Sequence, residues 1–263
     1  MSDTSALLVE LADGVLTLTT NDAPHNRMSF AYMDEVEAAV TRAAEDPAVR
    51  AVVFTSAGDQ NFSVGMDLKQ LMAEAGDRGG AGAVLDQRRR VLGMIENLQK
   101  PTIATLFGYC LGGGLELPLA CHFRFAADEG AKIGLPELDL GTVPAWGGTA
   151  RLTRCVGRDH ALDMILRAKK INGAHALKIG LVQEVHPLSE LKQAARNLAL
   201  ELAAMPPVAV AGVLDCVVGA GDLPLDEALD RERAAFARCG KTKDQMEGMM
   251  AFMEKRKPVF TGE

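Results

Sequence analysis

Aromatic side chains are scarce, at 5% of 263 residues with a single tryptophan. An aromatic-poor chain rich in Ala, Leu and Val argues against a sandwich and for helix-rich α/β packing, and 48% apolar content suffices for a sizeable core. The five cysteines (Cys110, Cys121, Cys155, Cys216, Cys239) are scattered and form no C-x-x-C pair. A disulfide framework and a zinc knuckle are therefore not indicated, and a reducing compartment is expected. Positive charge is in deficit: 28 Lys and Arg against 35 Asp and Glu, a net charge of −7. That balance speaks against nucleic acid or an anionic membrane as the main partner. No apolar run approaches the ~18 residues of a membrane span. The start, Met1-Ser2-Asp3-Thr4, is polar and lacks a basic n-region, and Thr261-Gly262-Glu263 is no peroxisomal address, so a cytoplasmic protein is expected. The histidines are isolated, giving no metal-ligand spacing, and no G-x-S-x-G elbow occurs.

What is present centres on Tyr109-Cys110-Leu111-Gly112-Gly113-Gly114-Leu115-Glu116-Leu117. It follows a strand-like run, Thr102 to Phe107, and leads into an apolar segment, Leu115 to Cys121, that reads as a buried helix. Three glycines at that junction leave bare backbone N–H groups, and a helix start adds unpaired donors and the positive end of a dipole. Such a site suits an anion or an oxygen that becomes anionic. A Walker loop would need Lys-Ser or Lys-Thr after the glycines, and a dinucleotide fingerprint would need glycine at 117; the chain has Leu115-Glu116 and Leu117. Glu116 would repel a phosphate. An oxyanion hole with a carboxylate at its edge fits these residues, as does a glycine turn that only lets strand and helix pack closely.

In chain order, Asp13-Gly14 between Leu7–Leu11 and Val15–Thr20 signals a hairpin. Ser29 is placed to cap a helix running to about Glu45, and Val49 to Thr55 has the pattern of a strand buried on both faces. A helix start falls near Asp67, and the glycine-rich stretch from Ala75 to Ala83 precedes another helix, Val84 to Leu98. Phe123 to Ala127 reads as a strand, and Lys132 to Thr142 as a turn-rich extended segment. Strand–helix units thus recur about every 50 residues without repeated sequence, the pattern of one architecture rather than copied modules. From Leu188 onward the chain is essentially helical, with breaks at Pro206-Pro207, Gly219 to Pro224 and Gly240. A core over 1–200 and a helical region over 201–263 are expected. The Met-rich face of the last helix (Met246, Met249, Met250, Met253, with Phe252) is read as core or as a subunit interface.

Two carboxylates carry the possible chemistry. Glu116, in a first helical turn, is favoured in its ionised form by the dipole, as a general base requires. Glu137, held off a regular helix by Pro136 and crowded by leucines, is favoured as the neutral acid. Environments that push two carboxylates apart in pKa suit an acid/base pair, although structural carboxylates are common in both settings.

The whole pattern resembles the enoyl-CoA hydratase/isomerase (crotonase) superfamily. The matching segments are Asn61-Phe62-Ser63-Val64-Gly65-Met66-Asp67-Leu68-Lys69, Lys100-Pro101 through the glycine stretch to Leu117, and Leu135-Pro136-Glu137 with Leu140 to Pro144. Gly147-Gly148-Thr149-Ala150-Arg151-Leu152 follows, then Ala176-Leu177, Gly180-Leu181-Val182, and Glu247-Gly248 with Ala251 to Arg256. The likeness runs from about residue 7 to the end. It implies an α/β spiral of β-β-α turns, with a helical C-terminal region that builds trimers, often paired into hexamers. It also implies an acyl-CoA thioester as substrate, its carbonyl held by the N–H groups of Met66 and Gly113. No cofactor is implied, coenzyme A being part of the substrate, and no metal, nucleic acid or membrane.

With Glu116 and Glu137 both present, the resemblance implies hydration of a 2-enoyl-CoA, Glu116 as base and Glu137 as acid. The dienoyl-CoA isomerase branch would carry Asp in place of Glu116 and another at position 145, which is Ala145. Other isomerases, ring-acyl hydratases and a non-catalytic RNA-binding or assembly role share the fold; net acidity and two retained glutamates argue against the last. Substrate contacts are implied for Ser63, Val64, Gly65, Asp67, Leu68 and Gly112, and for Phe252 and Lys255 on CoA bound largely by a neighbouring subunit. Three departures stand out. Trp146 occupies a place where relatives keep small residues, either lining the acyl pocket or packing under the glycine turn without ever meeting substrate. His122 replaces a usual Asp, which unsettles a local charge pairing. Arg167-Ala168-Lys169 replaces a Thr/Ser-Gly turn, which predicts a longer helix there.

Overall fold

The computed structural model describes residues 5–263; the polar start Met1 to Thr4 lies outside the described residues. Strand β1 (Leu7–Ala12) turns at Asp13-Gly14 into β2 (Val15–Thr20), pairing Ala12 with Val15. Both turn residues have positive φ, 54° and 77°, the geometry that Asp-Gly supplies in two-residue hairpins. From there the sheet turns parallel. The strands β3 (Ala51–Ser56), β4 (Thr102–Leu106), β6 (Phe123–Ala127) and β8 (Glu184–His186) extend it in the order β1-β2-β3-β4-β6-β8. Every residue of β3 and β4 is buried, which is why the β3 segment shows no alternation of apolar and polar residues. A small second sheet pairs β5 (Tyr109–Leu111) with β7 (Lys132–Gly134) in parallel. Tyr109 to Leu111, read from sequence as part of a loop, is thus a strand; three residues are too few to show a period.

Helix α1 (Phe30–Glu45) starts at Ser29, whose hydroxyl accepts from the Tyr32 N–H, and its apolar face meets the sheet. Asp67 caps α2 (Leu68–Glu74), accepting from Lys69 and Gln70 at 3.1 Å. A single 3₁₀ turn at Ala75–Arg78 leads to α3 (Ala81–Glu96). Helix α4 (Gly113–Ala120) is buried at all eight positions. Then come α5 (Gly148–Val156), α6 (Arg158–Leu166) and α7 (Gly173–Lys178). The longer helix expected at Arg167 to Lys169 does not form. Helix α6 ends at Leu166, and Ala168 takes φ 45°, doing what glycine would do in that turn. Helix α8 (Leu188–Ala203) packs across β3, β4 and β6. The chain closes with α9 (Pro207–Gly219), α10 (Leu225–Cys239) and α11 (Lys243–Glu254), α9 and α10 lying against each other. No single helix among the described residues is long and apolar enough to cross a membrane.

Candidate active site

Two loops meet at the end of β5. Ser63 pairs with Cys110, its N–H donating to the Tyr109 carbonyl and its own carbonyl accepting from the Leu111 N–H at 3.1 Å. The approach is close enough to demand glycine. A Cβ on Gly65, where φ is 94°, would stand 2.7 Å from the Leu111 carbonyl oxygen, and one on Gly114 would stand 2.5 Å from that of Ser63. Ser63 itself is spent on this junction, its hydroxyl accepting from the Gly65 N–H at 3.0 Å. Among the described residues, the N–H groups of Met66 and Gly113 donate to no protein acceptor.

Both residues open onto a cavity of about 300 Å³, whose wall includes Val64, Gly65, Leu68, Gly112, Glu116, Glu137 and Trp146. The rest of the wall is almost wholly apolar: Leu71, Leu85, Leu111, Pro136, Leu140, Val143 and Ala145, with Thr142. Sequence reading does not single these out as a group, since an apolar side chain carries no chemical signal and they come from four separate segments.

Glu116 is 2% exposed. Its Oε1 accepts two backbone hydrogen bonds, from Trp146 and Gly148 at 2.8 Å each, while Oε2 accepts none from the protein. Gly148 is forced by this grip, because a Cβ there would lie 2.8 Å from Oε1. Burial lifts the carboxyl from its ordinary 4.5 to about 7; the two N–H donors and Arg151 hold it down, and Glu137 pushes it further up. Burial thus opposes the ionised form that the helix dipole is expected to favour, and a pKa of about 7 leaves both forms populated at neutral pH. One carboxylate oxygen is held by a different segment, the turn before α5.

Glu137 opens a 3₁₀ turn, Glu137–Leu140, directly after Pro136. Its Oε1 faces Gly112, where a Cβ would sit 3.1 Å away, and its Oε2 is buried without a partner. Desolvation raises its pKa as well, in the direction the leucine-rich segment suggested.

Trp146 lines the cavity and also packs under the glycine turn. Its ring lies against Gly113, where a Cβ would be 2.6 Å from Cη2. Arg88, also buried, stands over the same ring at 5.9 Å and over Phe30 at 5.2 Å, its Nε and Nη2 without protein partners. Asp67 is not in the cavity wall: it caps α2 and lies 3.6 Å from Arg27. Phe252, 85% exposed, and Lys255, just past the end of α11, also lie away from this cavity in the single chain. His122 replaces charge pairing with neutral hydrogen bonding. Its Nδ1 accepts from the Thr102 N–H at 3.0 Å, and burial pushes its pKa down. Nearby Arg124 donates to the carbonyls of Leu181 and Pro118 instead of to an acid. No cluster of His, Cys, Asp and Glu able to hold a metal occurs among the described residues.

Two carboxylates thus share a mostly apolar cavity with backbone N–H groups that have no protein acceptor among the described residues, on a mostly parallel α/β sheet. The model of the enoyl-CoA hydratase/isomerase family matches residues 10–263, and the chain belongs to that family. A probable enoyl-CoA hydratase of Bacillus subtilis is 34% identical over 98% of this chain and 100% of its own length. A crotonyl-CoA hydratase of Syntrophomonas wolfei is 39% identical over 86% of both. Among solved structures, an enoyl-CoA hydratase from Geobacillus kaustophilus superposes with a TM-score of 0.93 at 33% identity, covering 100% of this chain and 98% of that one. Pseudomonas aeruginosa DspI gives 0.92 at 32%, over 99% and 98%. These neighbours bear out the crotonase-like α/β fold.

Proposed function

We propose that this protein is an enoyl-CoA hydratase, adding water reversibly across the 2,3 double bond of a 2-enoyl-CoA thioester to give a 3-hydroxyacyl-CoA. The observation that carries the reading is Glu116, with one oxygen clamped and the other free, in the same small cavity as Glu137 and the unpaired N–H groups of Met66 and Gly113. The two N–H groups hold the thioester oxygen and stabilise the enolate that forms as the β-carbon is attacked. Ionised Glu116 takes a proton from water as its oxygen bonds to C3, and neutral Glu137 delivers a proton to C2. With a pKa of about 7, Glu116 is ionised in a substantial fraction of molecules at neutral pH, as a base near its working pH should be.

No metal or organic cofactor enters this scheme. The apolar wall and the Trp146 ring suit a short or ring-containing acyl group. A homotrimer or dimer of trimers, assembled through residues 201–263 and placing Phe252 and Lys255 on a neighbour's CoA, accounts for the exposed apolar face of α11. A cytoplasmic setting fits the unpaired cysteines. Hydration of crotonyl-CoA, followed by loss of the conjugated thioester absorbance, tests the reading, with a ring-containing panel to size the pocket. Unchanged absorbance with both sets would overturn it.

A further inference from the structure

Three successive peptides in the turn before α5 are gripped from two sides. The N–H groups of Trp146 and Gly148 donate to Glu116 at 2.8 Å, while the Trp146 carbonyl, in the peptide between them, accepts from Nη1 of Arg151 at 2.9 Å. Nη2 of Arg151 continues to Glu96, the last residue of α3, at 2.7 Å. This ion pair is mostly shielded, its side chains 13% and 28% exposed. Gly147, at φ 106°, leaves room for the guanidinium, which a Cβ there would strike. Arg151 does not line the cavity.

We infer that Arg151, braced by Glu96, is a positioning residue that holds the Trp146–Gly148 turn against Glu116 and so sets both the aim of Oε2 and the ease with which the carboxyl ionises. The charged groups near Glu116 are few. Glu137 disfavours its charge and Arg151 favours it, while Arg88 stands against the Trp146 ring on the α3 side. Removing Arg151 deletes the one neighbouring cation acting on Glu116 and loosens both N–H donors, and each change favours the protonated form. A lost brace also costs alignment, to which proton transfer at a fixed distance is sensitive.

The test pairs Arg151→Gln with Arg151→Lys, and its kinetic arm rests on the hydratase reading. In Arg151→Gln, kcat for crotonyl-CoA is expected to fall about tenfold to a hundredfold with KM little changed. The acid limb of the kcat profile is expected to move up by roughly one pH unit. Lysine restores the charge but not the fork that spans carbonyl and Glu96, so the limb should return toward wild type while kcat recovers only in part. A second arm needs no substrate: the Glu116 carboxyl band, assigned by infrared difference against Glu116→Gln, should titrate higher in Arg151→Gln than in wild type. A fall in kcat that tracks melting temperature, with limb and band unmoved, overturns the inference. If the wild-type protein hydrates nothing, the hydratase reading fails by itself, and the band decides the role of Arg151.

Discussion

Helices α4 and α11 are both rich in apolar side chains, yet they occupy opposite situations. All eight residues of α4 are buried, including the carboxyl of Glu116, whereas in α11 only Asp244 and Ala251 are. Met246, Met249, Phe252 and Met253 stand more than 60% exposed. The contacts of α4 are completed within the chain, so its glycines are dictated atom by atom. The apolar face of α11 is left largely open to solvent in the single chain, and soluble monomers rarely leave such a patch uncovered. One region uses its apolar surface to build the pocket, and the other leaves it exposed in the single chain.

Replacing the carboxyl that the α4 environment perturbs should give the largest effect. Glu116→Gln is expected to lower kcat by ~10²–10⁴-fold, the usual worth of a general base, with CoA affinity retained. The same change should stabilise the fold. Between pH 4.5 and about 7 the native state keeps a proton on Glu116 that the unfolded chain has released. Stability therefore falls as pH rises through that window, by up to about 3 kcal/mol. Denaturant titrations at pH 5 and pH 8 should show the wild type losing stability on this account while Glu116→Gln does not. A variant less stable than wild type at pH 8 would show that the carboxyl is not strained by burial.

Next in size is Gly113→Ala, which leaves the N–H in place but drives a methyl into the Trp146 ring. A displacement of even 1 Å costs about a hundredfold in rate, so kcat should drop steeply, and adding Trp146→Gly should recover part of it. Failure of the double variant to recover would separate the ring from the lesion.

On the α11 side, deleting residues from Met246 onward is expected to dissolve the oligomer and weaken CoA binding together. Sedimentation at an unchanged number of chains per particle would break the contrast between the two helices. The smallest effect expected is on selectivity. Trp146→Gly should shift preference toward longer acyl chains with only modest change in crotonyl-CoA turnover, because the backbone N–H that serves Glu116 survives the substitution. Parallel kcat/KM profiles across chain lengths would leave the ring a packing element only.

Much of this was legible in the residues themselves. Asp13-Gly14, Ser29, Asp67 and Pro206-Pro207 mark a hairpin, two helix starts and a break through local chemistry alone, and the structure places each of them there. The largely apolar run that becomes β3 announces a strand covered on both faces, which has no solvated polar side to show. The three-residue strands β5 and β8 carry too little pattern to be read with confidence from local sequence, and β5 was missed.

The cavity is a different matter. Glu116 and Glu137 are visible as residues 21 positions apart in the chain, but what they experience depends on segments far away. Its own helix speaks for the ionised form of Glu116, but the burial that opposes its charge comes from the whole cavity, and the N–H groups that support the charge belong to Trp146 and Gly148. Sequence by itself determined most of the elements, the family pattern and the two candidate carboxylates, since propensity, capping and residue type act over a few positions. Only the tertiary structure decided how burial and hydrogen bonds act on Glu116, the packing of Trp146 against Gly113 and the grip of Arg151, because desolvation and hydrogen-bond geometry are set by what folds against a group, not by what precedes it in the chain.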